Sequence, residues 1–440
     1  MRRSRVARFV AIAVAALALI TTTAAADGLD AAERRMAASV DRNVLAALAF
    51  LERAVNVNSG TLNFEGVRET GRMFRSEWDA LGFETRWVDG AAWGRAGHLF
   101  ATRTGKKATR HVLLIGHLDT VFEKDSPFQR WARISDSIAQ GPGSTDMKGG
   151  NVVMLLAVKA LRDAGLLDRL TLTVALMGDE EKSGEPLGLA RKDLIEAARA
   201  ADVAIGFEDG NGDPRDAVIA RRGSTSWVLR TRGRPYHSSQ IFREDVGHGA
   251  IFEAARILHA FEDSLSHEPY LTFNPGVMVG GTQIGFDSET ARGTAFGKTN
   301  VVAESTAVAG DLRALSLPQR ERAKDVMRRI VADTTRQTGA SITFDDGYPP
   351  LALTDGNRRL LAIFDQASRD LGFGPVGADD PARAGAADVS FTDGLVEMAI
   401  DGVGLMGTGG HTVEETAELP TLGIQAKRVA VTLARLASKR

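Results

Sequence analysis

Val112-Leu-Leu-Ile-Gly-His117-Leu-Asp119 is the stretch that decides the fold. Four apolar residues in a row, two of them β-branched, predict a short strand buried on both faces. The glycine ends the run, and a histidine and an aspartate follow at once. The same grammar occurs twice more. Leu170 to Met177 predicts a strand, followed by Gly178-Asp-Glu180-Glu181, and Val203-Ala-Ile205 predicts another, followed by Gly206-Phe-Glu208. Around these runs the apolar spacing predicts helices over 31–54, 66–81, 152–161 and 187–198. Such alternation implies an α/β domain with a mainly parallel central sheet and flanking helices. In a parallel sheet these three strand ends share the carboxyl edge, where open α/β sheets place their sites.

Two glycine-rich stretches add to that edge. Gly141-Pro-Gly-Ser-Thr-Asp146-Met-Lys-Gly-Gly150 puts an acid at the start of the 152–161 helix, and Gly409-Gly-His411-Thr412 offers a second histidine. Taken singly, each piece is ordinary: a satisfied polar residue, a solvated charge cluster, a loop. Taken together they crowd carboxylates onto one edge, and burying so many is expensive unless cations neutralise them. Two divalent metals would do so. The chain has no Cys, so iron–sulfur clusters, disulfide frameworks and thiol nucleophiles are excluded, and any metal is held by His, Asp and Glu.

The 440 residues suggest about two domains. The pattern changes near Gly223. Half-exposed strands are expected over 226–231 and 299–312, and helices over 247–261 and 318–338. This reads as an α+β domain, 223–340, inserted into a catalytic domain made of 27–222 and 341–440, whose last helix spans about 422–437. Residues 1–26 read as a cleaved signal peptide: Arg2, Arg3, Arg5 and Arg8, an apolar run from Phe9 to Ile20, then Ala24-Ala-Ala26. Its removal takes the formal net charge from −2 to about −6. A nucleic-acid partner is not expected on that charge. An exported, periplasmic protein with no membrane attachment after cleavage is.

With these segments in hand, the chain resembles a known family, the co-catalytic dinuclear zinc peptidases. These include glutamate carboxypeptidase of the carboxypeptidase G type, acetylornithine deacetylase, succinyl-diaminopimelate desuccinylase and aminoacylase. The resemblance rests on the strings around His117, Asp146, Glu180, Glu208 and His411, on Gly233-Arg-Pro-Tyr-His237-Ser-Ser239, and on Asn300 with Gly310-Asp-Leu-Arg313. It implies a zinc-peptidase domain with an inserted lid that also dimerises. His117 and Glu208 would hold one Zn²⁺, Glu181 and His411 the other, with Asp146 bridging; Co²⁺ or Mn²⁺ would suit the same ligands. Asp119 would orient the His117 imidazole. Glu180 would be the general base that takes a proton from the attacking water and gives it to the leaving amine. By the same likeness the Asp146–Met147 peptide would be cis. His237 would steady the carbonyl oxygen in the partner subunit's site, and Arg313 with Asn300 would grip the substrate. Read without the resemblance, His237 suits an exposed loop and Arg313 an ion pair with Asp311.

The pattern departs from the family at Tyr236, at Ala387 where Ser or Thr is usual, and in a longer segment after Glu181. These positions bear on substrate choice and leave the hydrolytic residues intact. The expected activity is release of a C-terminal amino acid, often Glu, from a small peptide or N-acyl amino acid. The alternatives are an N-acyl-amino-acid deacylase or dipeptidase on the same scaffold and, more remotely, a non-catalytic binding protein.

Overall fold

The computed structural model describes residues 28–288 and 290–438, so the expected signal segment lies outside the described residues. The chain opens with α1 (Ala31–Val55) and α2 (Phe64–Ala80). Asp30 starts α1 with a capping box: its carboxylate accepts from the N–H of Ala32 and Glu33, while Glu33 accepts from the Asp30 N–H. There follow β1 (Glu84–Asp89), β2 (Gly97–Arg103), β3 (Arg110–His117), α3 (Lys148–Asp163), β4 (Leu170–Met177), α4 (Lys192–Ala200) and β5 (Val203–Gly206). The inserted unit contains β6 (Gly223–Arg232), α5 (Gly249–Leu265), β7 (Thr272–Gly281), β8 (Ser305–Ala314), α6 (Leu317–Ala332) and β9 (Gly339–Asp346). The return adds α7 (Asp355–Asp370), β10 (Met398–Ile400) and α8 (Leu419–Ser438).

The central sheet runs β1-β2-β4-β3-β5-β10. β4, β3, β5 and β10 are mutually parallel, while β2 pairs antiparallel with both β1 and β4, so the sheet is mixed. The four-residue run that decides the fold divides by alternation. Val112 and Leu114 face the larger core with α1, α3 and α8, and Leu113 and Ile115 face a smaller one with α4. Burial on both faces is why that strand has no polar alternation.

Two glycines let α3 come close to the strand ends. A Cβ at Gly116 would fall 2.1 Å from the Asn151 side-chain oxygen, and one at Gly150 would fall 1.9 Å from the Phe207 carbonyl oxygen. Both approaches put the start of α3, and Asp146 just before it, against the carboxyl ends of β3 and β5.

The lid is a four-stranded antiparallel sheet, β7-β8-β6-β9, backed by α5 and α6. Trp227 and Leu229 on β6 meet Phe261 on α5 and Met327 on α6 in its core. Several boundaries differ from the sequence expectation. β9 pairs with β6 as far as Asp346, so the lid extends past 340. The expected 299–312 strand starts at Ser305, the 318–338 helix ends at Ala332, and the 187–198 helix breaks at Arg191. Arg191 is fully buried, and its ion pairs set the position of the break. No helix among the described residues is long and apolar enough to cross a membrane.

Candidate active site

Five side chains meet at the carboxyl edge of the central sheet. His117 ends β3. Glu181 lies four residues past the end of β4, where the chain has already left the extended conformation. Strand geometry would send neighbours to opposite faces, and this turn is what allows Glu180 and Glu181 to serve one site. Glu208 lies two residues past β5, Asp146 just ahead of α3, and His411 in the loop before α8.

Asp146 stands between the two histidines, with one oxygen toward each. His117 Nε2 is 2.9 Å from Asp146 Oδ1 and 3.7 Å from Glu208 Oε1. His411 Nε2 is 2.8 Å from Asp146 Oδ2 and 3.2 Å from Glu181 Oε2. His117–Asp146–Glu208 and Asp146–Glu181–His411 therefore form two donor triads that share a carboxylate, with the donor atoms of each within 4.8 Å of one another. His117 is almost fully buried, whereas the His411 side chain is 59% exposed at the mouth of the site. His411 also sits at φ +63°, a left-handed conformation that costs a non-glycine residue about 1 kcal/mol or more. The Asp146–Met147 peptide is cis, as the resemblance implied.

The electrostatics suit cations. Burial and the neighbouring carboxylates, Asp146 foremost, push Glu181 up to about 7 although His411 opposes this. Burial also raises Glu208 well above the ordinary carboxylate range, with Asp146 and Glu180 adding to the shift against His117. Burial alone would lower His117, but Glu208, Asp119 and Asp146 outweigh it and hold the imidazole well above its usual value. Hydrogen bonds donated to Asp146 and Glu181 push His411 up to about 11. The cluster thus draws positive charge from every available source. One histidine and two carboxylates per triad form an N/O donor set of the kind that holds zinc, cobalt or manganese, so the residues present fit a dinuclear metal centre.

Glu180 is next to these ligands but belongs to neither triad. Burial, and after it Asp388, Glu181 and Asp146, hold its carboxyl well above the usual range, although His117 opposes them. A raised pKa of this kind suits a group that accepts a proton and then returns it.

Asp119 departs in detail from the expected role. His117 Nδ1 lies 3.1 Å from the Asp119 backbone oxygen and 3.5 Å from its Oδ1, so the nearer acceptor is the carbonyl. The carboxylate's shorter contacts are Thr61 Oγ1 at 2.6 Å and the backbone N–H groups of Glu180 and Glu181 at 3.1 Å each. Asp119 therefore holds both the imidazole and the loop that carries Glu180.

The lid residues are not brought to the cluster. His237 is exposed, with Nδ1 2.8 Å from Ser239 Oγ. Its loop is paired to the one carrying Asn300 through Ser238 N–H to the Asn300 carbonyl at 2.9 Å. Arg313 lies at the other end of the lid sheet, opposite Ser224, and its Nε is 2.7 Å from Asp311 Oδ2.

Sequence reasoning missed three buried supports. Glu415 accepts from the backbone N–H groups that lead into Asp146. Asp401 accepts from the Glu208 N–H at 3.2 Å and is paired with Arg221 at 2.9 Å. Arg191 joins Asp179 and Asp388 at 2.6 Å each. A faint signal existed for one of them: Arg191 opens the charged triplet Arg191-Lys-Asp193 that splits the expected 187–198 helix.

A family model, "Peptidase family M20/M25/M40", matches residues 113–435, which include all five clustered residues. The chain belongs to this family. Among curated proteins, this M20 peptidase is 24% identical to carboxypeptidase G2 of Pseudomonas sp. (strain RS-16) over 407 residues, 90% of this chain and 91% of the relative. Among solved structures it is similar to the aminopeptidase PepT from Bacillus cereus ATCC 10987 (TM-score 0.68, 19% identity, 90% of this chain and 99% of that one). It is also similar to the M20 family metallo-carboxypeptidase Sso-CP2 from Sulfolobus solfataricus (TM-score 0.62, 16% identity, 89% and 99%). At these identities the structural likenesses speak to fold. The family and the donor triads together make this M20 member a metal-dependent peptide hydrolase.

Proposed function

We propose that this protein is a dinuclear zinc hydrolase that releases a C-terminal amino acid from a small peptide or N-acyl amino acid, in the manner of a glutamate carboxypeptidase. The observation that carries the hydrolytic part is the sharing of Asp146 between two His–carboxylate triads. The likeness to carboxypeptidase G2 along 90% of the chain supports the carboxypeptidase part.

Held by His117, Asp146, Glu181, Glu208 and His411, two zinc ions would supply Lewis-acid chemistry at the amide carbonyl and would lower the pKa of a water from 15.7 towards about 7. The chain's own residues do the rest. Glu180 takes the proton of the attacking water and passes it to the nitrogen of the departing amine. Asp119 fixes the backbone of Glu180 and Glu181 and the His117 ring at once. Arg313, once its Asp311 partner is displaced, presents a planar fork to the substrate's terminal carboxylate. His237 and Asn300, together at one corner of the lid, act in a homodimer on the site of the other subunit. Residues 1–26 direct export to the periplasm and are cleaved from the exported protein.

A panel of peptidyl and N-acyl amino acids tests this reading. Release of Glu from a folate-type conjugate, faster than release of acetate from acetyl-amino acids, supports the carboxypeptidase. The reverse order supports the deacylase, and hydrolysis confined to dipeptides supports the dipeptidase.

A further inference from the structure

The lid joins the catalytic domain through two strands of chain that run side by side. Ser224 N–H donates to the Tyr348 carbonyl at 2.9 Å, and Gly347 N–H donates to the Ser224 carbonyl at 3.0 Å. Arg221 and Leu351 exchange two further bonds at 3.0 Å each. This ribbon connects the lid to the catalytic domain, so a lid that moves turns about it as a hinge. From its returning strand the Tyr348 side chain reaches into the catalytic domain, where its ring meets Phe391 edge-on with centroids 5.0 Å apart.

The Tyr348 hydroxyl has three partners. It donates to the backbone carbonyl of Glu180 at 3.2 Å, and it accepts from Arg191 Nη2 at 2.5 Å and from Ser183 Oγ at 3.1 Å. Arg191 in turn grips the residue before the base, with Nη1 2.6 Å from Asp179 Oδ1 and Nη2 3.1 Å from the Asp179 carbonyl. Its Nε reaches Asp388 Oδ1 at 2.6 Å. The Glu180 N–H is held by Asp119, so the Glu180 backbone is clamped at both ends. Only one of these clamps originates in the hinge.

We propose that Tyr348 is a positioning residue that couples the lid hinge to the general base Glu180. Packing does not require the hydroxyl, since a phenylalanine would fill the same space and keep the Phe391 contact. Tyr348 is half-buried, and a hydroxyl drawn away from water is costly unless it is bonded; the bonds that satisfy this one lead to Glu180 and to the guanidinium that holds Asp179. Movement of the ribbon shifts the donor that fixes the Glu180 carbonyl. A small misplacement of a reacting group is enough to cost about 10²-fold in rate. Lid closure over substrate and placement of the base are then one event. The inference rests on the reading of Glu180 as the base.

The test uses full-length, metal-loaded protein and the peptidyl or N-acyl amino acid that the wild type hydrolyses fastest. Tyr348→Phe is expected to lower kcat by about ten- to a hundred-fold, with KM and metal content within about two-fold of wild type. Ser183→Ala removes the other hydroxyl of the cluster without touching the Glu180 carbonyl, and is expected to stay within about two-fold in kcat. A folded Tyr348→Phe protein with wild-type kcat overturns the proposal, as does a Ser183→Ala loss of equal size. Hydrogen exchange on the wild type gives a second reading that does not depend on a variant folding. On binding a phosphinic dipeptide analogue, residues 179–183 are expected to gain protection together with the ribbon at 221–224 and 347–351. Protection gained by the ribbon alone overturns the coupling. Retained turnover in Glu180→Gln would instead remove the reading of the base, so the two failures are distinct.

Discussion

Glu415 accepts the backbone N–H of Asp146 at 3.3 Å, and with the same carboxylate those of Thr145 at 2.8 Å and Gly143 at 2.9 Å. Asp146, the carboxylate shared by the two triads, is thus aimed by a buried acid that is not itself in either triad. Second-layer partners of this kind typically contribute 10- to 100-fold to metal affinity or activity. Glu415→Ala is expected to weaken metal binding by about 10- to 100-fold, read by competition with a chelator. Unchanged affinity in a folded variant would show that the loop holds Asp146 without it.

The proposed base and the proposed ligands separate by a simple contrast. Glu180→Gln is expected to keep its metal and lose about 10²- to 10⁴-fold in kcat. His117→Ala and His411→Ala are expected to fall from about two metals per chain to one or fewer, because each removes the only nitrogen donor of its triad. Full metal occupancy in either histidine variant would remove that residue from the ligand set.

Arg221 is buried at the hinge against Asp401, which is fully buried and holds the Glu208 N–H. Removing one partner of such a pair strands a buried charge. Arg221→Met is expected to cost about 3–5 kcal/mol in urea unfolding. A loss below about 1 kcal/mol would show that Asp401 finds another partner.

The lid carries its own acid sensitivity. Burial alone would raise Glu253, but Arg256 at 2.7 Å and Thr335 Oγ1 at 2.6 Å outweigh it and hold the carboxyl below its usual 4.5. A folded-state pKa below the unfolded value contributes stability that is present above 4.5 and is lost as pH falls through the folded value. The wild type is therefore expected to lose stability more steeply below about pH 4.5 than Glu253→Gln does. Parallel acid limbs in thermal unfolding would contradict this.

The parts legible in the sequence are those where chemistry sits at a fixed offset from an apolar run. His117, Glu181 and Glu208 each follow such a run, and Asp146 and His411 stand out because glycines flank them. β7 and β9 were missed because only one face of the lid sheet is covered, which leaves few apolar residues to mark them. β1 and β2 gave no expectation either, since β1 is an edge strand with mostly exposed or half-exposed side chains. The supporting carboxylates Glu415 and Asp401 act through backbone N–H groups, and sequence spacing carries no record of those. Arg191 was visible only as the first of three consecutive charges in the expected 187–198 helix, and its partners Asp179, Asp388 and Tyr348 come from three separate parts of the chain.

The proposal that two divalent metals share Asp146 in an amide hydrolase is tested most directly by measuring metal content together with hydrolysis of peptidyl and N-acyl amino acids, before and after chelation. The expected result is about two zinc ions per chain, with activity that disappears on chelation and returns with zinc. A correctly folded protein that binds no metal and hydrolyses nothing across the panel would contradict it.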